Sequence, residues 1–200
     1  MVYTQIPSDI LSHIQLNAGI LLSDFTPSTA SYDKNDILAA TSGGLQFSDS
    51  VTYKDFGEDI DNCPKNTKEL KVLENHEIKL SGTLVTANSD LVQKLIGAAD
   101  SSGSGPFTIT PRNYLSKNDF FDLWWVGDYS SVNTGSGAGF IAIKISDALS
   151  TGGFKLQSTD KEKGKFAFEF TAHYSISNPD TVPYTVYVKE GETSFNAPTT

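Results

Sequence analysis

The chain has 200 residues, enough for one domain to bury roughly 70% of its unfolded surface without help from metals or disulfides. Its 24 Asp and Glu outnumber 15 Lys and Arg, and the formal net charge of -9 argues against tight wrapping around a polyanion by phosphate neutralisation. A single Cys63 excludes an internal disulfide framework, and there is neither a basic-then-apolar leader nor a run of about 18 apolar residues, so a protein neither secreted by a signal peptide nor held in a membrane is expected.

In chain order, residues 1–12 are polar and weakly patterned and read as an arm. Leu45, Phe47, Val51 and Tyr53 mark a first strand, and Ile78, Leu80 and Leu84 a second, with Gly82 on the same face as the sign of a bulge or a close approach. Asn88 and Ser89 can cap a short helix in which Leu91, Val92, Leu95 and Ile96 form one apolar stripe and Gly97 provides the stop. The Ser/Gly-rich stretches Asp100–Pro106 and Thr134–Gly139 are too short to separate domains and read as loops. A helix or turn is indicated near Leu115–Phe121, whereas Trp124 and Trp125 fit a strand.

The strand pattern is strongest in the second half. Ile141, Ile143 and Ile145 alternate, and from Lys165 to Ile176 the residues Phe166, Phe168, Phe170, Ala172, Tyr174 and Ile176 share one face. Such a period of two is what a half-buried strand requires, because successive side chains point to opposite sides of the sheet. Tyr184, Val186 and Val188 repeat it, and residues 191–200 read as a second arm. The chain is therefore expected to be mainly β: one domain over 13–190 between two terminal arms.

Chemistry is harder to find. His13, His76 and His173 are widely spaced and none pairs with a carboxylate at helical spacing, so no catalytic, cofactor-binding or metal residue is expected. Asp59-Ile60-Asp61-Asn62 has the spacing that opens some calcium loops, but the glycine and the terminal glutamate are not at their required offsets. Two readings of Gly57, Glu58, Asp59, Ile60, Asp61, Asn62, Cys63, Pro64 and Lys65 stay open at this point: a solvated acidic turn, or a subunit interface seated through Ile60. Gly135–Gly139 lacks the Lys-Ser/Thr of a phosphate cradle and reads as a hairpin turn, and Trp124-Trp125 reads as core packing rather than a sugar platform.

Three segments carry a resemblance: Gly43-Gly44; the run from Asp55-Phe56-Gly57 to Lys68-Glu69-Leu70; and Lys79-Leu80-Ser81-Gly82-Thr83. Together they resemble the major tail protein family of long, non-contractile-tailed bacteriophages, and Phe140–Ile145 and Thr171–Ser175 are similar to the same family over most of residues 14–190. The resemblance implies a β-sandwich or partial barrel with one flanking short helix and extended terminal arms. It also implies hexameric rings of this one chain, stacked into a virion tube that conducts DNA without binding it specifically. Implied partners are the tape-measure, tail-terminator and distal-tail proteins, with no membrane and with host cytoplasm as the place of residence before assembly. A non-catalytic adhesin or carbohydrate-binding sandwich, or a tube protein of a secretion machine, are the alternatives.

Overall fold

The computed structural model describes residues 13–15, 17–128 and 139–191. Apart from Gly191, the expected arms at 1–12 and 191–200 lie outside the described residues, as does the Thr134–Gly139 loop except for Gly139.

The protein is mainly β, with strands β1 (Ile20–Leu22), β2 (Ile37–Ala39), β3 (Thr41–Asp55), β4 (Lys71–Leu84), β5 (Ala99–Ser102), β6 (Thr108–Pro111), β7 (Phe121–Asp128), β8 (Phe140–Ser150), β9 (Lys155–Gln157), β10 (Lys165–Thr171) and β11 (Tyr184–Lys189). The main sheet runs β2-β1-β7-β8-β10-β4-β3, with β11 added to β8 and β9 to β10, while β5 and β6 form a separate hairpin. Strand β8 is where this path turns. Its residues up to Ile145 pair with β7 and β11 and Ala148 still pairs with Phe121 of β7, but Leu149 and Ser150 pair with β10. Between those stretches Asp147 takes a left-handed φ of 48°, and β7 shifts register opposite it, the local signature of a bulge that bends a strand. The sheet thereby folds over on itself as a sandwich-like partial barrel.

Inside the fold, Ile78, Leu80 and Leu84 of β4 meet Phe168 and Phe170 of β10, Ile143 and Ile145 of β8, and Leu123 of β7. Helix α1 (Ser89–Ile96) closes one side with Leu91 and Leu95, both buried. It forms where its capping residues dictate: the Asn88 side chain accepts from the Leu91 amide, and Gly97 ends the helix at φ 89°. A second cluster of Leu22, Phe25, Trp124, Phe140 and Ala142 covers the other face of the β7–β8 region, with the Phe25 ring edge-on to Trp124 and Phe140. Trp125 instead packs against the main core and donates its indole N–H to the Ala18 carbonyl at 3.0 Å, so the adjacent tryptophans face opposite sides and both are structural.

Gly82 is a close approach. A Cβ there would lie 2.5 Å from Leu45 Cδ2 and 3.1 Å from Phe168 Cε1, and the opposing β3 segment slips register through Gly43 and Gly44, both at positive φ. Two expectations need correction. Strand β10 ends at Thr171 rather than Ile176: the Ala172 amide still bonds to Ile78, then a Ser/Asn/Pro turn takes over and leaves Ile176 97% exposed. In β11 the alternating valines Val186 and Val188 are exposed, whereas Tyr187 reaches the second cluster, because this edge strand borders β8 alone and only one of its faces meets the body. Near Leu115–Phe121 the chain makes a single 3-10 turn, Lys117–Asp119, capped by Ser116, and then enters β7.

The position of Phe168 generates a prediction. Phe168→Ala should destabilise the fold by about 3–5 kcal/mol, read as a lower urea midpoint at an unchanged slope. An unchanged midpoint would contradict its place in the core.

Candidate functional site

Strand β4 pairs with both β3 and β10 from Lys79 to Leu84, but from Lys71 to Ile78 it pairs with β3 alone. Residues 51–55 and 71–75 therefore form a two-stranded ribbon leaving the body, and residues 71–75 are all exposed. Along the ribbon β4 carries one extra residue, Glu74, because Thr52 faces Asn75 while Tyr53 faces Leu73. A bulge of this kind increases local twist and keeps the inward-facing register of Val51 running into Tyr53 and Leu73.

Tyr53, Phe56, Val72 and Leu73 are all close to half exposed. Tyr53 and Leu73 are on the face that continues from the core, and Val72 is on the opposite face beside Thr52, Lys54 and Asn75, so the arm exposes apolar side chains on both sides. Lysine stems shield part of this surface, with Lys71 Nζ 5.2 Å from the Tyr53 ring centre and Lys54 Nζ 5.2 Å from that of Phe56.

At the root of the arm the core gives way to a polar cluster. Asp49 Oδ2 accepts the Tyr184 hydroxyl at 3.0 Å and lies 2.8 Å from His76 Nδ1, tying β3 and β4 to β11 across the fold. Burial, and then the bond to Asp49, hold the Tyr184 phenol above its ordinary pKa. These two hydrogen bonds clamp the three strands together at the base of the arm. It escaped sequence reasoning because Asp49 and His76 are 27 residues apart and meet only through the β3–β4 register, in which Val51 faces His76 and Asp49 faces Ile78.

At the tip, residues 56–70 are a built loop. The Asp55 carboxylate accepts the Gly57 amide on one oxygen and the Asn66 amide on the other, each at 2.8 Å. These two bonds, Gly57 first, hold the Asp55 carboxyl below its ordinary pKa. Asn62 and Asn66 take left-handed turns, Thr67 donates its hydroxyl to the Pro64 carbonyl, and the half-buried Cys63 thiol sits 3.6 Å from that same carbonyl. Of the expected interface residues, Gly57 is buried under Cys63 and Leu70, whereas Glu58, Asp59, Ile60, Asp61, Asn62, Pro64 and Lys65 are exposed, Ile60 by 51%. No group of three or more His, Cys, Asp or Glu that could hold a metal ion exists among the described residues. His173 rests edge-on against Phe120, with Nδ1 3.2 Å from the Asp147 carbonyl.

No protein-family model matches this chain, and no curated protein matches it in sequence. Among the described residues no helix is long and apolar enough to cross a membrane.

Asp55 supplies the test of the loop. Its lowered pKa means that its contribution to loop order is fully present above the ordinary value of 3.8 and is lost as the pH falls through the lowered value. Asp55→Ala should speed hydrogen exchange at the Gly57 and Asn66 amides at neutral pH while leaving β10 amides unchanged. Equal protection at Gly57 and Asn66 in both proteins would show that the loop is held by other means.

Proposed function

We propose that this chain is a structural, self-assembling subunit whose rings stack into a bacteriophage tail tube, a passive conduit for DNA. The observation that carries the reading is the projecting β-arm, which exposes Tyr53 and Leu73 on one face and Val72 on the other and ends in an ordered loop. A two-stranded ribbon is marginal in water by itself, and natural proteins rarely leave a long apolar strand pair uncovered. A second copy of the same chain is the simplest cover, since one surface repeated head to tail generates rings or filaments from a single subunit type.

The opposite face of the β3–β4–β10 sheet supports the conduit. Glu169 pairs with Ser81, Ala167 with Thr83 and Thr171 with Lys79, on the side away from the core phenylalanines. Hydroxyl groups knit this surface, with Thr151 2.7 Å from Thr171 and donating to Glu169 at 3.1 Å. Along β4 and residues 167–171 of β10 this wall is short and polar, with Lys79 paired to Glu77 and with Lys155 and Lys165 at its β9 end. The stretch around Glu169 suits a duplex that must slide, because each added lysine contact to phosphate would release counterions and add affinity. Ring symmetry of six is an implication of the resemblance alone.

Removing residues 57–65 should leave a folded protein, with an unchanged circular dichroism spectrum, that forms no rings or tubes in micrographs under conditions in which the intact chain is expected to form them. Tubes of equal abundance from the deletion variant would refute the role of the loop. Separately, the intact protein should fail to retain duplex DNA on a filter at low salt; tight, salt-sensitive retention would refute the passive conduit.

A further inference from the structure

The apolar face of the β4–β10 ladder overruns the core at both ends. At one end lie Tyr53 and Leu73 of the arm. At the other, β9 pairs with the start of β10, placing Leu156 opposite Phe166, and the exposed Phe154 ring packs 6.0 Å from Phe166. The two ends differ in charge. Residues 55–70 carry five carboxylates against two lysines, whereas residues 154–165 carry four lysines, Lys155, Lys161, Lys163 and Lys165, against two carboxylates. In a chain of net charge -9 this hairpin is a basic island, and Lys155, Lys163 and Lys165 make no ion pair among the described residues. Because β4 runs from the tip at Lys71 to Leu84, which pairs with Phe166, the two surfaces sit at opposite ends of one strand axis, about 40 Å apart at ~3.3 Å per residue.

We propose that the acidic tip of one copy docks on the lysine-rich β9–β10 hairpin of the next, with Ile60 seated against Phe154 and Leu156. This rests on the self-association proposed above and names its two surfaces. Opposite charges at opposite ends of one axis make a heterologous contact that translates rather than closes, so repetition propagates along the strand direction, while like ends repel and fix polarity.

Two charge-reversed proteins test it: Glu58→Lys/Asp59→Lys, and Lys161→Glu/Lys163→Glu. Alone, each should need about tenfold or more protein to assemble at low salt, by sedimentation velocity. Mixed in equal amounts they should assemble again, because each tip then meets a hairpin of opposite sign. On wild-type assemblies, zero-length carbodiimide coupling should join Glu58, Asp59 or Asp61 to Lys161, Lys163 or Lys165, a link that the separation within one copy forces to be intermolecular. Either variant assembling alone like wild type, a mixture that stays dispersed, or cross-links confined to other residues would overturn the docking and leave self-association standing. Wild-type protein that remains dispersed at every concentration would overturn both.

Discussion

Strands β3 and β4 form a ladder of 15 and 14 residues, but the core under it stops near Ile78. Everything distinctive about this molecule follows from that mismatch in length. Up to Ile78 the inward face of the ladder is sealed by Phe168, Phe170 and the β8 isoleucines. Beyond it, the same alternation continues as the half-buried Val51 and the roughly half-exposed Tyr53 and Leu73, with the 174–182 turn alongside Leu73 and His76. The Asp49–His76–Tyr184 cluster stands at the boundary, a polar stop that leaves Asp49 Oδ1 buried without a hydrogen-bond partner among the described residues. An orphaned buried acceptor costs about 1–3 kcal/mol, so the cluster is a place where stability is given up to fix the direction in which the arm leaves.

Magnitudes indicate how such an arm would work. Fully burying a large apolar side chain stabilises by roughly 1.5–3 kcal/mol, and Tyr53, Phe56, Ile60, Val72 and Leu73 already have about half their surface covered. One arm then contributes on the order of 5 kcal/mol, at the low end of the 4–15 kcal/mol that rigid association costs. A single arm contact would be weak. Several at once, as between two stacked rings, would convert later contacts into intramolecular ones and make assembly cooperative. Held this way, a subunit can stay dispersed when dilute and polymerise when concentrated or nucleated.

Legibility in the sequence tracked how local each determinant is. Period-two alternation located β4, β8 and β10, and the Asn88 cap with Gly97 located α1, because those signals lie within a few residues of what they specify. Gly82 was readable as a close approach for the same reason. Alternation alone could not distinguish a strand face that meets the core from one that overruns it, which is why Tyr174, Ile176, Val186 and Val188 share a pattern with buried neighbours yet are exposed. The acidic loop could be singled out by Ile60 among carboxylates, but its support could not: Asp55 binds an amide 11 residues away, and the apolar ribbon beneath it emerges only from the pairing register. The opposed charges of the two hairpins became meaningful only once β4 and β10 were seen to run antiparallel.

On the proposed reading the arm is covered by another copy. Hydrogen exchange of residues 51–55 and 71–75, followed as protein concentration rises through the onset of assembly, tests it most directly. Fast exchange in the dispersed protein and strong protection in the assembled one, with β8 and β10 amides protected throughout, is the predicted result. Arm amides that exchange at the same rate in dispersed and assembled protein would contradict it.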